Sequence, residues 1–90
     1  MSEIKIEKLG EPELKARGVL NWPIWEKGES EFPWHYDDRE QCLILRGEVT
    51  VQPESGAAVR FAEGDFVTFP KGMSCTWTVH RAVRKHYQFG

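Results

Sequence analysis

The sequence has no long apolar run. Its longest wholly aliphatic or thiol stretch is Cys42–Leu45, far short of the ~20 residues that span a bilayer. Cysteine is scarce too, with only Cys42 and Cys75. That excludes a disulfide scaffold and points to free thiols in a reducing cytoplasm, with a Cys42–Cys75 disulfide as the minor option. No charge of one sign dominates: 12 Lys and Arg are interspersed with 14 Asp and Glu, for a net charge of −2. Such a balance excludes the basic footprint of a nucleic-acid or anionic-membrane binder. The opening MSEIKIEKLG lacks an apolar h-region, so no secretory leader is expected and the location read is cytoplasmic. Linkers, low-complexity segments and internal repeats are missing as well, and 90 residues leave room for one domain spanning 1–90. A chain this short buries only about 60–65% of its unfolded surface, so pairing with a second copy would help, and a homodimer is expected.

What is present reads almost entirely as β-structure. Ile4 and Ile6 alternate with Lys5 and Glu7 as a short opening strand. The segment EPELKARG, with Pro12 near its start and Gly18 as a stop, fits one short helical stretch. From Val19 onward, runs rich in Val, Ile, Phe, Trp and Thr are separated by turns at Lys27-Gly28, Arg46-Gly47, Glu54-Ser55-Gly56, Glu63-Gly64-Asp65 and Lys71-Gly72. This spacing predicts a sandwich or a closed barrel. Met73, Cys75, Trp77 and Val79 share one face of a strand, which aims Cys75 at the core. Glu40, Cys42 and Ile44 share a face, with Leu43 and Leu45 apolar on the other. A strand apolar on both sides is covered on both sides, by N-terminal strands or a second subunit.

Two stretches carry a more specific signal. Gly28-ESEFP-Trp34-His35-Tyr36-DDR-Glu40-QCLILR-Gly47 is the first, and Gly64-DFVTF-Pro70-Lys71-Gly72-MS-Cys75-TWT-Val79 is the second. In order and in every spacing they resemble the two motifs of the cupin superfamily, G-x5-H-x-H-x3,4-E-x6-G and G-x5-P-x-G-x2-H-x3-N. The wider pattern from Trp22 to Phe89 is similar to the group of small cupins containing ethanolamine-utilisation protein Q and (S)-ureidoglycine aminohydrolase. The resemblance implies an all-β jelly-roll barrel, with motif 1 at 28–47 and motif 2 at 64–79. It also implies a small nitrogenous or polar metabolite as ligand.

Metal-binding cupins use both His and the Glu of the first motif and the His of the second. Carried over by position, those slots are Trp34, Tyr36, Glu40 and Cys75 here, and only Glu40 is retained. Trp has no lone pair for a metal, neutral Tyr is a poor ligand, and a Cys thiolate is a soft one. His35 alternates away from Trp34 and Tyr36, and His80 shares the outward face of Thr76 and Thr78. His86 stands as a spare ligand in the last strand, where Val83, Tyr87 and Phe89 claim the inward parity. No cofactor is therefore expected, and a divalent metal is the weaker alternative.

A barrel mouth lined by Trp34, Tyr36, Glu40, Cys75 and Trp77 remains. A buried carboxylate needs a partner. Glu40 has three on offer: the Tyr36 hydroxyl, an inward Lys85, or a ligand. Glu40 is then an acid/base or ligand anchor, or else a satisfied polar relic of the core. Cys75 reads as a nucleophile beside a carboxylate or as a small buried hydrophobe. Trp22, Trp25, Trp34 and Trp77 read mainly as core, with those at the mouth able to stack on a ligand. Arg81, Arg84, Lys85 and His86 read as an anion site or a solvated strand face. The candidate catalytic residues are Glu40, Cys75 and Tyr36, and the ligand-binding ones Trp34, Trp77, Lys85 and His86. Three functions follow: a small-molecule-binding cupin working without metal, a metalloenzyme of aminohydrolase or isomerase type with unusual ligands, and a non-catalytic homodimeric module.

Overall fold

The computed structural model describes residues 4–90, so Met1–Glu3 of the expected 1–90 domain lie outside the described residues. The opening alternation forms strand β1, Lys5–Glu7, and the segment after it forms helix α1, Glu11–Ala16. Pro12 sits in the first turn of α1, where its missing N–H forfeits no helical bond. Gly18 ends the segment at φ +70°, a left-handed conformation that side chains resist. A 3₁₀ turn, Val19–Asn21, leads into β2 (Ile24–Lys27) and β3 (Ser30–His35). There follow β4 (Glu40–Pro53), β5 (Val59–Ala62), β6 (Phe66–Phe69) and β7 (Ser74–Phe89). No helix among the described residues is long and apolar enough to cross a membrane.

Every pairing is antiparallel, and the strand path is β1-β6-β4-β7-β2, with β3 also on β7 and β5 also on β4. The long strands β4 and β7 pair with one another and change their outer partners half-way. β7 takes β3 along its first half and β2 along its second. β4 takes β6 first and β5 afterwards. Those changes bend one sheet over itself into a jelly-roll barrel.

Arg46-Gly47 reads from sequence as a turn, and here the structure differs. β4 continues through Gly47 as a bulge, with its register against β7 shifting between Ile44 and Val49. Gly47 lies at φ +102°, and a Cβ there would fall on the Ala82 carbonyl and 2.7 Å from Val83 Cα. Between the Ile44–Lys85 and Val49–Val79 pairs β4 advances five residues and β7 six, so β4 changes parity while β7 keeps its own. Cys42 and Ile44 point inward before it, and Val49 and Val51 after it.

The barrel core gathers Tyr36, Ile44, Val49, Val51, Phe61, Phe69, Trp77 and Val79 around both cysteines. The opposite face of β4 is covered as its pattern requires, but by the helical N-terminal segment rather than by strands. Leu9, Leu14, Val19 and Trp22 pack there on Leu43, Leu45 and Phe66.

Candidate functional site

Three strands place their inward side chains around one cavity. β2 brings Trp25, β3 brings Phe32 and Trp34, and β7 brings Trp77, Lys85, Tyr87 and Phe89. Glu40, the first residue of β4, completes a lining around about 200 Å³. The register explains the grouping, since Phe32 lies opposite Trp77, Trp25 opposite Lys85 and Glu40 opposite Phe89. Phe32 stacks on Trp77 at 6.0 Å, while Trp25 meets it edge-on at 5.9 Å. Trp34 and Phe89, each nearly half exposed, stand at the rim.

Among the described residues, the only charges lining the cavity are a buried pair. Lys85 Nζ donates to Glu40 Oε2 at 2.7 Å, and their side chains are 6% and 3% exposed. The ammonium also lies 4.7 Å from the Trp77 ring centre, 4.9 Å from Trp25 and 6.0 Å from Tyr87. Carboxylate and π-faces together replace the water that Lys85 gives up. No described residue donates to the other carboxylate oxygen, Oε1. No enclosed polar side-chain atom among the described residues lacks a partner, and Glu40 lines the cavity, which fits an Oε1 open to it. An acceptor and the remaining ammonium N–H groups thus stand side by side between aromatic walls.

Tyr36 is fully buried and stacks on Phe69 at 4.8 Å, and its hydroxyl accepts a hydrogen bond from Trp77 Nε1–H at 3.0 Å. Burial, reinforced by the Glu40 charge, raises its pKa far above the ordinary phenol value. Tyr36 stays a neutral phenol that fixes the Trp77 indole rather than touching the cavity. Cys75 also lies behind the wall, between Trp34 of β3 and Pro53 of β4, with its thiol turned to the Trp34 carbonyl at 3.7 Å. Burial, then the Glu40 and Glu54 charges, push it up to about 11. Both cysteines are free. Burial pushes Cys42 up to about 12, as the largest cause.

The structure does not bring His86 to the cavity. It occupies the opposite face of β7, with Nδ1 2.9 Å from the Trp22 carbonyl, because neighbours along a strand alternate in direction. The basic run is divided for the same reason: Arg81 and Arg84 are exposed, while Lys85 turns inward. His35 faces outward onto Ser74 Oγ at 2.7 Å, and His80 onto Thr50 Oγ1 at 2.7 Å. Trp25, Phe32, Tyr87 and Phe89 join a lining that sequence reasoning centred on Trp34 and Trp77. The inward parity of Tyr87 and Phe89 was a usable signal, whereas the meeting of Trp25 with Lys85 depends on a β2–β7 pairing that no local pattern states.

The sequence matches the EutQ-like cupin domain over residues 14–87. The chain belongs to that cupin family. The crystal structure of a DUF861 family protein from Thermotoga maritima is 51% identical, with a TM-score of 0.95, covering 98% of this chain and 100% of that one. A candidate ethanolamine utilization protein Q from Salmonella typhimurium is 29% identical (TM-score 0.66), with 73% of this chain covered. The Clostridium difficile EutQ protein, at 23% identity and TM-score 0.67 over 73% of this chain, shares the fold. This chain covers 53% and 52% of those two, about half their length. No curated protein matches the sequence significantly.

The cupin fold can bind metal, but the donors in this one do not suit a divalent ion. Trp34 has no ligand atom, and Tyr36 is held as a phenol bonded to Trp77. The Cys75 thiol is turned to the Trp34 carbonyl, and Glu40 is already paired with Lys85. Among the described residues no three His, Cys, Asp or Glu side chains converge.

Proposed function

We propose that the cavity over the Glu40–Lys85 pair binds a small nitrogenous or polar metabolite without a metal. Glu40 acts as the anchor, placed to accept or return a proton of the ligand. The observation that carries this reading is Oε1 of Glu40, an acceptor left open inside an aromatic-walled cavity while Oε2 is held by Lys85. A carboxylate in such surroundings is costly to keep as a mere relic, because desolvation opposes its charge. Trp77 forms the wall, Trp34 closes the rim, and Lys85 offers donors to the ligand's acceptor. Tyr36 serves this site as a positioning residue through Trp77. Cys75 and His86 lie outside the cavity and take no direct part.

The dimensions suit a small molecule, since about 200 Å³ is room for roughly seven waters at liquid density. We read residues 1–90 as one cytoplasmic cupin domain that pairs with a second copy. Leu20, in the 3₁₀ turn, and Ile24, the first residue of β2, are 45% and 42% exposed, and β2 is the end of the strand path. The test of the binding reading is a panel of small neutral nitrogenous compounds, titrated against wild type and Glu40→Gln with thermal unfolding as readout. Loss of about tenfold or more in affinity on substitution supports the anchor role. Unchanged ligand-induced shifts in Glu40→Gln contradict it.

A further inference from the structure

Lys85 is held as a free alkylammonium ligand would be. One N–H meets a carboxylate oxygen at 2.7 Å, two indole faces lie at 4.7 and 4.9 Å, and a phenol ring lies at 6.0 Å. Carboxylate plus aromatic faces is the chemistry by which cages select ammonium groups over neutral ones. Here the cation reaches the cage on its own side-chain stem from β7 instead of arriving from solution. The pair cancels in formal charge, which governs what else the cavity accepts. A second cation would meet the Lys85 charge at short range with little water to screen it, and an anion would meet Glu40. A neutral group with a donor beside an acceptor meets neither penalty. Its donor reaches Oε1 of Glu40, and its acceptor takes a remaining N–H of Lys85.

We propose that Lys85 is the resident cation of an ammonium cage and thereby the specificity-determining residue of the cavity. The chain as it stands admits small neutral molecules with adjacent donor and acceptor and refuses free alkylammonium ions. This rests on the reading of the cavity as a ligand site and adds its selectivity. Lys85→Ala removes Cγ, Cδ, Cε and Nζ, the atoms that n-propylammonium would restore. Titrations of n-propylammonium chloride and of n-propanol, followed by the indole N–H resonances of Trp25 and Trp77, separate charge recognition from simple cavity filling.

In Lys85→Ala, propylammonium binds at least about tenfold more tightly than propanol, and wild type binds no propylammonium over the same range. Equal affinities for the two probes in the variant, or saturable binding of the ammonium to wild type, overturns the proposal. Wild type alone supplies a second measurement if the variant does not fold. The Lys85 ε-methylene protons are expected upfield of ordinary lysine values because of the two indole rings, and ordinary lysine shifts there overturn the cage. Propylammonium probes the cage and not the natural ligand. A null result from the neutral panel with Glu40→Gln therefore leaves this outcome readable, and a failed cage leaves the panel readable.

Discussion

Glu40 and Lys85 are each buried because the other is, and that interdependence has a measurable signature. Removing one partner leaves an uncompensated charge in an apolar cavity, at a cost of roughly 3–5 kcal/mol, whereas replacing both with neutral side chains of similar volume is near neutral. In urea denaturation, Glu40→Gln and Lys85→Met are each expected to lose about 3 kcal/mol or more, and the double variant to recover most of that loss. Additive losses would mean that the contact at 2.7 Å carries no coupling. The thiols give a pH prediction. Cys42 and Cys75 are raised from an ordinary value of 9.0 to about 12 and about 11. A raised folded-state pKa means that the folded chain holds the proton more tightly. The thiols' contribution to stability is therefore complete below about pH 9 and is lost as pH rises toward 11–12. Cys42→Ala should flatten the fall in stability over that window, and at pH 8 both thiols should resist Ellman's reagent until the chain is unfolded. Rapid labelling of native protein at pH 8 would contradict the burial of both. Much of this scale was legible beforehand. Motif spacing singled out Glu40, and strand parity turned Lys85 inward and His35 outward. Parity also set His86 on the far face, yet residue type alone had made it a ligand candidate.

At the scale of the elements, β4 carries the cavity's carboxylate at its start and the barrel core along the rest of its length. The bulge at Gly47 lets one strand serve both halves of the barrel. Without this break in the register, Val49 and Val51 would point outward and the second half of the core would lose its lining. Gly47→Ala places a methyl group against Ala82 and Val83 backbone at a positive φ, and should cost about 3 kcal/mol or more. Gly56→Ala has a similar φ but nothing within 4 Å of the new Cβ, so its cost should stay near 1–2 kcal/mol. Equal losses by chemical denaturation would remove the close approach as the reason for Gly47. The difference between a turn and a bulge was hidden in the sequence. Both need a residue without Cβ, and only the pairing partner, β7, distinguishes them. The covering of Leu43 and Leu45 was legible as a need, while the choice of α1 and the 3₁₀ turn to meet it depended on how the N-terminal segment docks.

For the molecule as a whole, the barrel supplies a walled cavity, and its chemistry comes from a pair donated by two different strands. The all-β class and the cupin motifs could be read from Gly and Pro punctuation, because those residues fix backbone geometry locally. The aromatic cage could not, since it forms only when β2 and β3 both close on β7. With Trp34, Tyr36 and Cys75 at the positions of the family's metal ligands, the proposed function rests on the Glu40–Lys85 pair. The most direct test of that claim is an NMR titration of wild type and Glu40→Gln with small neutral nitrogenous compounds. The indole N–H signals of Trp25 and Trp77 and the Lys85 ε-methylene signals should move together in wild type, with one affinity, and the response should disappear in Glu40→Gln. Binding that leaves these three residues unmoved, or that survives the loss of the carboxylate, would contradict it.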